Sequence, residues 1–304
     1  MPEALAYLND RMIPADELVV AVSDAGFVQG VTVAEQMRTF GGKLFRLEDH
    51  LDRLRQSLDF VGVELGPQLA ELPQLAQQLV EHNHRLLAEG DDLGLSVFVT
   101  PGPYATLAPH APAEPTLAMH TYPLPFVLWA RRYHDGQRVV VSDVRQVPSV
   151  CWSPALKCRS RMHYYLADRQ ARQRDPAARA ILLDIDGYVS EASTANVLLY
   201  RKDEGLISPP PQKILPGISM ACVAELAASM QVPFLHRDLH TEDLRQADEV
   251  LLCSTSPCVL AAVAVDGEPI GSGQPGAMFH RLLDAWSSHV GVDIVAQAIA
   301  FSER

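Results

Sequence analysis

Lysine is scarce in this chain: of 25 basic residues only four are lysines, Lys43, Lys157, Lys202 and Lys213. Any chemistry that needs a primary amine therefore has four places to reside. Cysteine is thin as well. The five thiols, Cys151, Cys158, Cys222, Cys253 and Cys258, form an odd set with no C-x-x-C pair and no Cys/His ligand spacing. Neither a disulfide framework nor a zinc site is expected, and the usage fits a reducing compartment. No apolar run approaches the roughly 20 residues that span a bilayer. The opening MPEALAYLNDRMIP lacks a basic stretch leading into an apolar one, so no signal peptide is expected. Positive charge is in deficit, with 25 Lys and Arg against 37 Asp and Glu and a formal net charge of −12. Binding a phosphodiester backbone needs a cationic excess to displace counterions, so nucleic acid is not an expected partner. These absences predict a soluble cytoplasmic protein with no metal, membrane or nucleic acid partner.

What is present is material for a core. The 304 residues are 48% hydrophobic and 20% charged, enough for one large domain or two ordinary ones. Val19-Val20-Ala21-Val22 predicts a short strand, and Ser23-Asp24-Ala25-Gly26 a turn. Leu47, Leu51, Leu54 and Leu58 recur at helical spacing up to Gly62, and Leu69, Leu72, Leu75 and Leu79 predict a second helix. Residues 93–100 and 116–122 predict strands. Residues 1–121 thus form a small α+β domain. Residues 122–135, with two prolines and several aromatics, predict a linker; an edge strand is the competing reading. Residues 136–304 form the larger domain. It starts with a strand at 138–141, carries a hairpin turning at Asp186-Gly187, and has helices near 160–174, 217–230, 241–246 and 276–290.

Five places could carry chemistry. Lys157 follows an apolar pair and precedes a helix. Its ordinary reading is a solvated surface group, whereas in an apolar pocket its amine loses basicity and becomes a nucleophile. Leu215-Pro216-Gly217-Ile218-Ser219 opens a helix, either as plain punctuation or as a phosphate site offering backbone N–H groups and a hydroxyl. Ser254 and Thr255 follow an apolar strand, as a turn cap or a second phosphate cradle. Glu191 has no local cation, so a surface ion pair is its default. Arg53 shares a helix surface with His50; its fork suits a phosphate, while most helix arginines are simply solvated.

None of these decides alone, but their order does. Asp24-Ala25-Gly26-Phe27 with Gly30 and Glu35, the 46–54 run RLEDHLDRL, Lys157, the Gly187-to-Asn196 segment with Glu191, Leu-Pro-Gly-Ile-Ser at 215–219, Ala247-Asp248-Glu249-Val250, and Val265-Asp266-Gly267 follow one another along the chain. This succession resembles the fold-type IV pyridoxal-phosphate enzymes: branched-chain aminotransferases, D-amino-acid transaminases and 4-amino-4-deoxychorismate lyases. The resemblance spans about residues 7–270. It implies a two-domain α+β fold, with a small N-terminal domain and a larger pseudo-barrel C-terminal domain, acting as a homodimer.

Carried over by position, the resemblance makes Lys157 the Schiff-base lysine that binds pyridoxal 5'-phosphate and shuttles the proton at Cα. Glu191 is implied to pair with the pyridine nitrogen. Arg53, Ile218, Ser219 and Thr255 are implied to hold the phosphate, and Gly217, Ser254 and Asn196 to lie at the cofactor. The implied reaction is transamination between an amino donor and a 2-keto acid. Ala34, Glu35 and Pro101 fall on the substrate side. Pro101 stands in Thr100-Pro101-Gly102 where D-amino-acid transaminases carry Thr-Arg-Gly, and it cannot bind a carboxylate. Ala34 replaces an aromatic residue, Thr32 a glycine, and Met162 a tyrosine, although Tyr164 and Tyr165 are close by. Two other readings remain: the lyase, with which Arg161 is compatible while Glu35 leans toward transaminases, and a non-catalytic cofactor-binding protein on the same scaffold.

Overall fold

A computed structural model describes residues 3–303, which fall into two compact units. The first comprises Met1–Leu124 with Leu156–Ser160, and the second Pro125–Ala155 with Arg161–Arg304.

The first unit is built on an antiparallel sheet of β1 (Leu5–Leu8), β2 (Arg11–Pro14), β3 (Val33–Phe40), β4 (Lys43–Leu44), β5 (Leu93–Thr100) and β6 (Thr116–Pro123), in the order β2-β1-β6-β5-β3-β4. Because strand side chains alternate, β3 sends Val33, Glu35 and Met37 to one face and Ala34, Gln36 and Arg38 to the other. Two helices cover the first face: α2 (Leu47–Val61) and α3 (Gln68–His84), after the one-turn α1 (Ala25–Val28). Their stripes Leu47, Leu51, Leu54, Leu58 and Leu72, Ala76, Leu79 join Met37, Leu95, Val97 and Met119 in one core. Each such leucine stabilises the fold by about 1.5–3 kcal/mol through burial. α2 stops where its spacing predicts, at Gly62, whose φ of 68° closes the last turn.

The expected strand at Val19–Val22 does not form. Residues 18–21 have no regular structure, with Val19 71% and Val22 75% exposed. A four-residue apolar run becomes a strand only against a partner edge, and here the chain is tied down just beyond it instead. The buried Asp24 carboxylate accepts from Gly26 N and from the Thr100 and Thr116 hydroxyls.

In the second unit, β7 (Gln137–Val141), β8 (Ala178–Leu183), β9 (Val189–Ala192), β10 (Ala195–Arg201), β13 (Glu249–Ser254) and β14 (Cys258–Val265) pair in a ring, since β9 closes on β10. β11 (Gly205–Ser208) and β12 (Phe234–His236) extend from β10, and β15 (Glu268–Pro269) adds to β14. The turn at Asp186-Gly187 joins β8 to β9, with Gly187 at φ 91°. The four predicted helices appear as α5 (Met162–Arg174), α6 (Ile218–Ser229), α7 (Thr241–Gln246) and α8 (Ala277–Val290), followed by α9 (Ile294–Ala300). The buried Glu249 carboxylate accepts from Met278 N and Phe279 N, capping the start of α8. Residues 122–135 are partly helical: they hold a 3-10 turn at Phe126–Leu128 and α4 (Arg132–Asp135), anchored by buried Phe126, Trp129 and Tyr133. Tyr122 and Pro123 at their start are the last residues of β6.

Candidate active site

In the first unit, Lys157 sits on an extended segment added to the edge of β3. Ala34 N donates to Lys157 O at 3.0 Å, Arg159 N donates to Thr32 O at 2.8 Å, and Val33 pairs with Cys158. From the helical side, Lys157 N donates to Ser57 Oγ of α2 at 3.2 Å. The backbone of Lys157 is thus fixed from two directions, and its side chain is half-buried.

The charge of Lys157 reaches a buried cluster under α2. Glu35, fully enclosed, receives Arg53 Nε on Oε1 at 2.7 Å and Arg53 Nη2 on Oε2 at 2.8 Å, while His50 Nδ1 lies 2.7 Å from Oε2. Burial pushes the Glu35 carboxyl up. The Arg53 charge, the hydrogen bonds from Arg53 and His50, and the Lys157 charge outweigh it and bring the pKa from 4.5 to about 2. Burial lowers the His50 pKa, with Arg53 and Lys157 adding to the shift against Glu35. The expectation of a solvated Arg53 is corrected: it is 5% exposed, and its Nε–Nη2 edge is engaged by Glu35. An arginine fork beside a carboxylate in low dielectric is a strong pair.

In the second unit, Glu191 lies on β9 and is buried, against the expectation of a surface ion pair. Four uncharged donors surround its carboxylate. Asn196 Nδ2 (3.0 Å) and Leu215 N (2.9 Å) point at Oε1, and Gln146 Nε2 (2.9 Å) and the Tyr164 hydroxyl (3.0 Å) at Oε2. Burial, then the negative charge of Glu191, raises the Tyr164 phenol well above its usual range, which keeps it a donor. Asn196 Nδ2 also donates to Leu215 O at 2.9 Å, so it pins the 215–217 turn to the carboxylate. That turn fits closely: a Cβ on Gly217 would lie 1.9 Å from Asn196 Oδ1. Gly217 is the N-cap of α6 and supplies no side-chain cap, leaving the helix start to other acceptors. Ser219, in the first turn, is buried. Asn196 is in register with Cys253, so Ser254 ends the neighbouring strand beside it and Thr255 follows.

The fold therefore groups the predicted residues in two sets. Ala34, Glu35, Arg53 and Lys157 belong to the first unit, and Glu191, Asn196, Gly217, Ile218, Ser219, Ser254 and Thr255 to the second. Pro101, half-buried, ends β5 ahead of Gly102 in the first unit. Sequence reasoning missed Gln146 and passed over Tyr164 as a mere neighbour. Gln146 carries no spacing signal, since it reaches Glu191 across 45 residues. No group of three His, Cys, Asp or Glu side chains among the described residues has the arrangement to hold a metal ion.

The sequence profile of the family described as amino-transferase class IV matches residues 32–265, well over half of the chain. The chain belongs to the class IV aminotransferases. It is similar to the D-alanine aminotransferase of Bacillus licheniformis, 28% identical over 93% of this chain and 95% of that protein. It is equally similar to a putative branched-chain-amino-acid aminotransferase of Methanocaldococcus jannaschii, 28% identical over 91% of this chain and 93% of the other. Its fold matches the T.th. branched-chain amino acid aminotransferase complexed with N-(5'-phosphopyridoxyl)-L-glutamate. That match has a TM-score of 0.83 at 21% identity and covers 95% of each chain. This class IV aminotransferase is an enzyme of amino-group transfer with the fold-type IV architecture, and these relatives favour transamination over the lyase reaction.

Proposed function

We propose that this aminotransferase works with pyridoxal 5'-phosphate, bound covalently by Lys157, on an amino acid and a 2-keto acid. The observation that carries the reading is the donor set of the second unit. A helix start capped by no side chain and led by a glycine too crowded for a Cβ suits a phosphate. The buried carboxylate of Glu191, lashed to that same turn through Leu215 and Asn196, suits a protonated ring nitrogen.

Within that reading, Ile218 and Ser219 hold the phosphate through the α6 N-terminus, with the Ser254 and Thr255 hydroxyls and the Arg53 charge assisting. Glu191 holds a proton at the ring nitrogen, and Gln146, Tyr164 and Asn196 fix the carboxylate's orientation. Bound pyridoxal phosphate supplies an electron sink for the bonds at the substrate Cα. Lys157 moves the proton at that carbon. Ala34, Glu35 and Pro101 are assigned to the substrate side. The chain acts in the cytoplasm as a homodimer, a reading supported by the family resemblance and by exposed Val19, Val22 and Phe27 on the first unit.

The test is chemical. Borohydride treatment of the yellow protein should fix cofactor to the peptide containing Lys157, and Lys157→Ala should lose both the fixation and the absorbance while keeping native circular dichroism. Fixation on Lys43, Lys202 or Lys213 would overturn the assignment. Mixed with an amino donor alone, the enzyme should release one keto acid per bound cofactor and then stop.

A further inference from the structure

The Lys157 strand carries a second cation two residues on. Arg159 is exposed, and its Nη2 donates to the buried Ser96 Oγ at 2.8 Å. In an extended segment, residues i and i+2 point to the same side about 6.6 Å apart, so Lys157 and Arg159 flank the same space. The segment pairs with β3 at Val33 and Cys158. Its odd-numbered side chains therefore join the β3 face of Ala34, Gln36 and Arg38, opposite the helices.

That face is furnished for an anion. Gln36, Ser96 and His120 are in register across β3, β5 and β6, and Arg38, Gly94 and Tyr122 form the next row. A Cβ on Gly94 would lie 2.1 Å from Tyr122 Cζ, so the tyrosine ring lies over the glycine, and its hydroxyl meets the Gln36 amide. The Phe98 and His120 rings stand edge to face at 6.5 Å. Burial and the neighbouring Arg159 charge lower the His120 pKa, which leaves that ring neutral near pH 7. Arg38 is buried with its guanidinium 3.9 Å from the Phe40 centroid. A guanidinium carries five N–H donors in a rigid fork. Bracing one of them on Ser96 orients the whole fork.

We propose that Arg159, braced by Ser96 and bordered by His120, Tyr122 and Gln36, is the carboxylate-recognition residue of this enzyme. It takes up the role that Pro101 cannot fill. The ligand is a carboxylate of the amino or keto acid substrate. It comes from either of two sources, the α-carboxylate or a distal side-chain carboxylate. The proposal rests on the aminotransferase reading, because Lys157 defines where the substrate sits.

The experiment titrates the holoenzyme with hexanoate and glutarate by calorimetry, which needs no turnover, and then measures KM for alanine, glutamate and an amine lacking any carboxylate. Arg159→Gln should weaken hexanoate and glutarate on the order of 30-fold, the loss of a charge-assisted pair, and raise KM with kcat little changed. The amine donor should be unaffected. Arg159→Lys should recover part of the affinity, and Ser96→Ala should weaken it less than Arg159→Gln. A KM rise for alanine and glutamate alike identifies the α-carboxylate, and one confined to glutamate the distal carboxylate. Either supports the proposal. Unchanged carboxylate affinity in Arg159→Gln, or in Arg159→Lys should the first variant lose its native spectrum, overturns it. So does wild-type enzyme that binds neither acid. Failure of the wild type to release keto acid from any donor would instead sink the aminotransferase reading, whatever the calorimetry shows.

Discussion

Glu35 shows how a single side chain acquires its meaning from its surroundings. In the folded chain its carboxyl titrates at about 2 rather than 4.5. A depressed acid contributes stability that is fully present above the unfolded pKa and lost as pH falls through the folded one. Acid titration of unfolding should therefore show a stability loss of about 3 kcal/mol between pH 4.5 and 2, absent in a variant lacking the carboxylate; a flat profile in that window would refute the pairing. Truncation by Glu35→Ala leaves Arg53 buried beside His50 without its counter-charge and should cost about 3–5 kcal/mol in urea unfolding. Glu191 makes the complementary case. Glu191→Gln presents an amide N–H₂ to a site whose four neighbours all donate. The variant should melt lower by an equivalent of about 1–3 kcal/mol. Turnover should fall by about 10²–10⁴, as when a proton-holding group is removed; unchanged turnover would remove Glu191 from the mechanism.

At the scale of elements, the α6 start depends on a residue with no side chain. Gly217 has an ordinary φ of −70°, so alanine is permitted by the backbone and excluded only by the 1.9 Å approach to Asn196 Oδ1. Gly217→Ala must turn Asn196 aside, and with it the hydrogen bonds to Glu191 and Leu215. Cofactor should then dissociate about 10-fold more readily, the equivalent of one lost hydrogen bond, and the cofactor-free protein should melt lower by an equivalent of about 1–3 kcal/mol. Equal retention in dialysis would show that the clamp does not matter. Gly102 is limited differently, by a φ of 84° and by the Glu114 carbonyl 1.9 Å from its Cβ site. Alanine there should destabilise the first unit by about 1–3 kcal/mol, read by thermal unfolding.

For the whole molecule, the proposed homodimer has a direct check. Sedimentation should give twice the chain mass, and Val22→Asp with Phe27→Asp should shift it toward the monomer; a wild-type monomer that transaminates would discard the proposal. None of the helices among the described residues is long and apolar enough to cross a membrane.

The sequence by itself determined most of the elements and the family. Leu47 to Leu58, Leu93 to Thr100, the Asp186-Gly187 turn and the helices at 162–174, 218–229, 241–246 and 277–290 were legible because helical and strand periodicities and glycine turns are local properties. β3 was not legible, since Glu35 and Arg38 interrupt its apolar pattern; Val19–Val22 misled because an apolar run does not reveal whether an edge is available to it. Tertiary structure alone decided what surrounds the candidate residues. It turned Arg53 inward onto Glu35, buried Glu191 among Gln146, Tyr164, Asn196 and Leu215, and set Arg159 against Ser96. These contacts join residues 18 to 63 positions apart, and in one case five, and strand register, which no local pattern encodes, is what brings them within hydrogen-bonding distance.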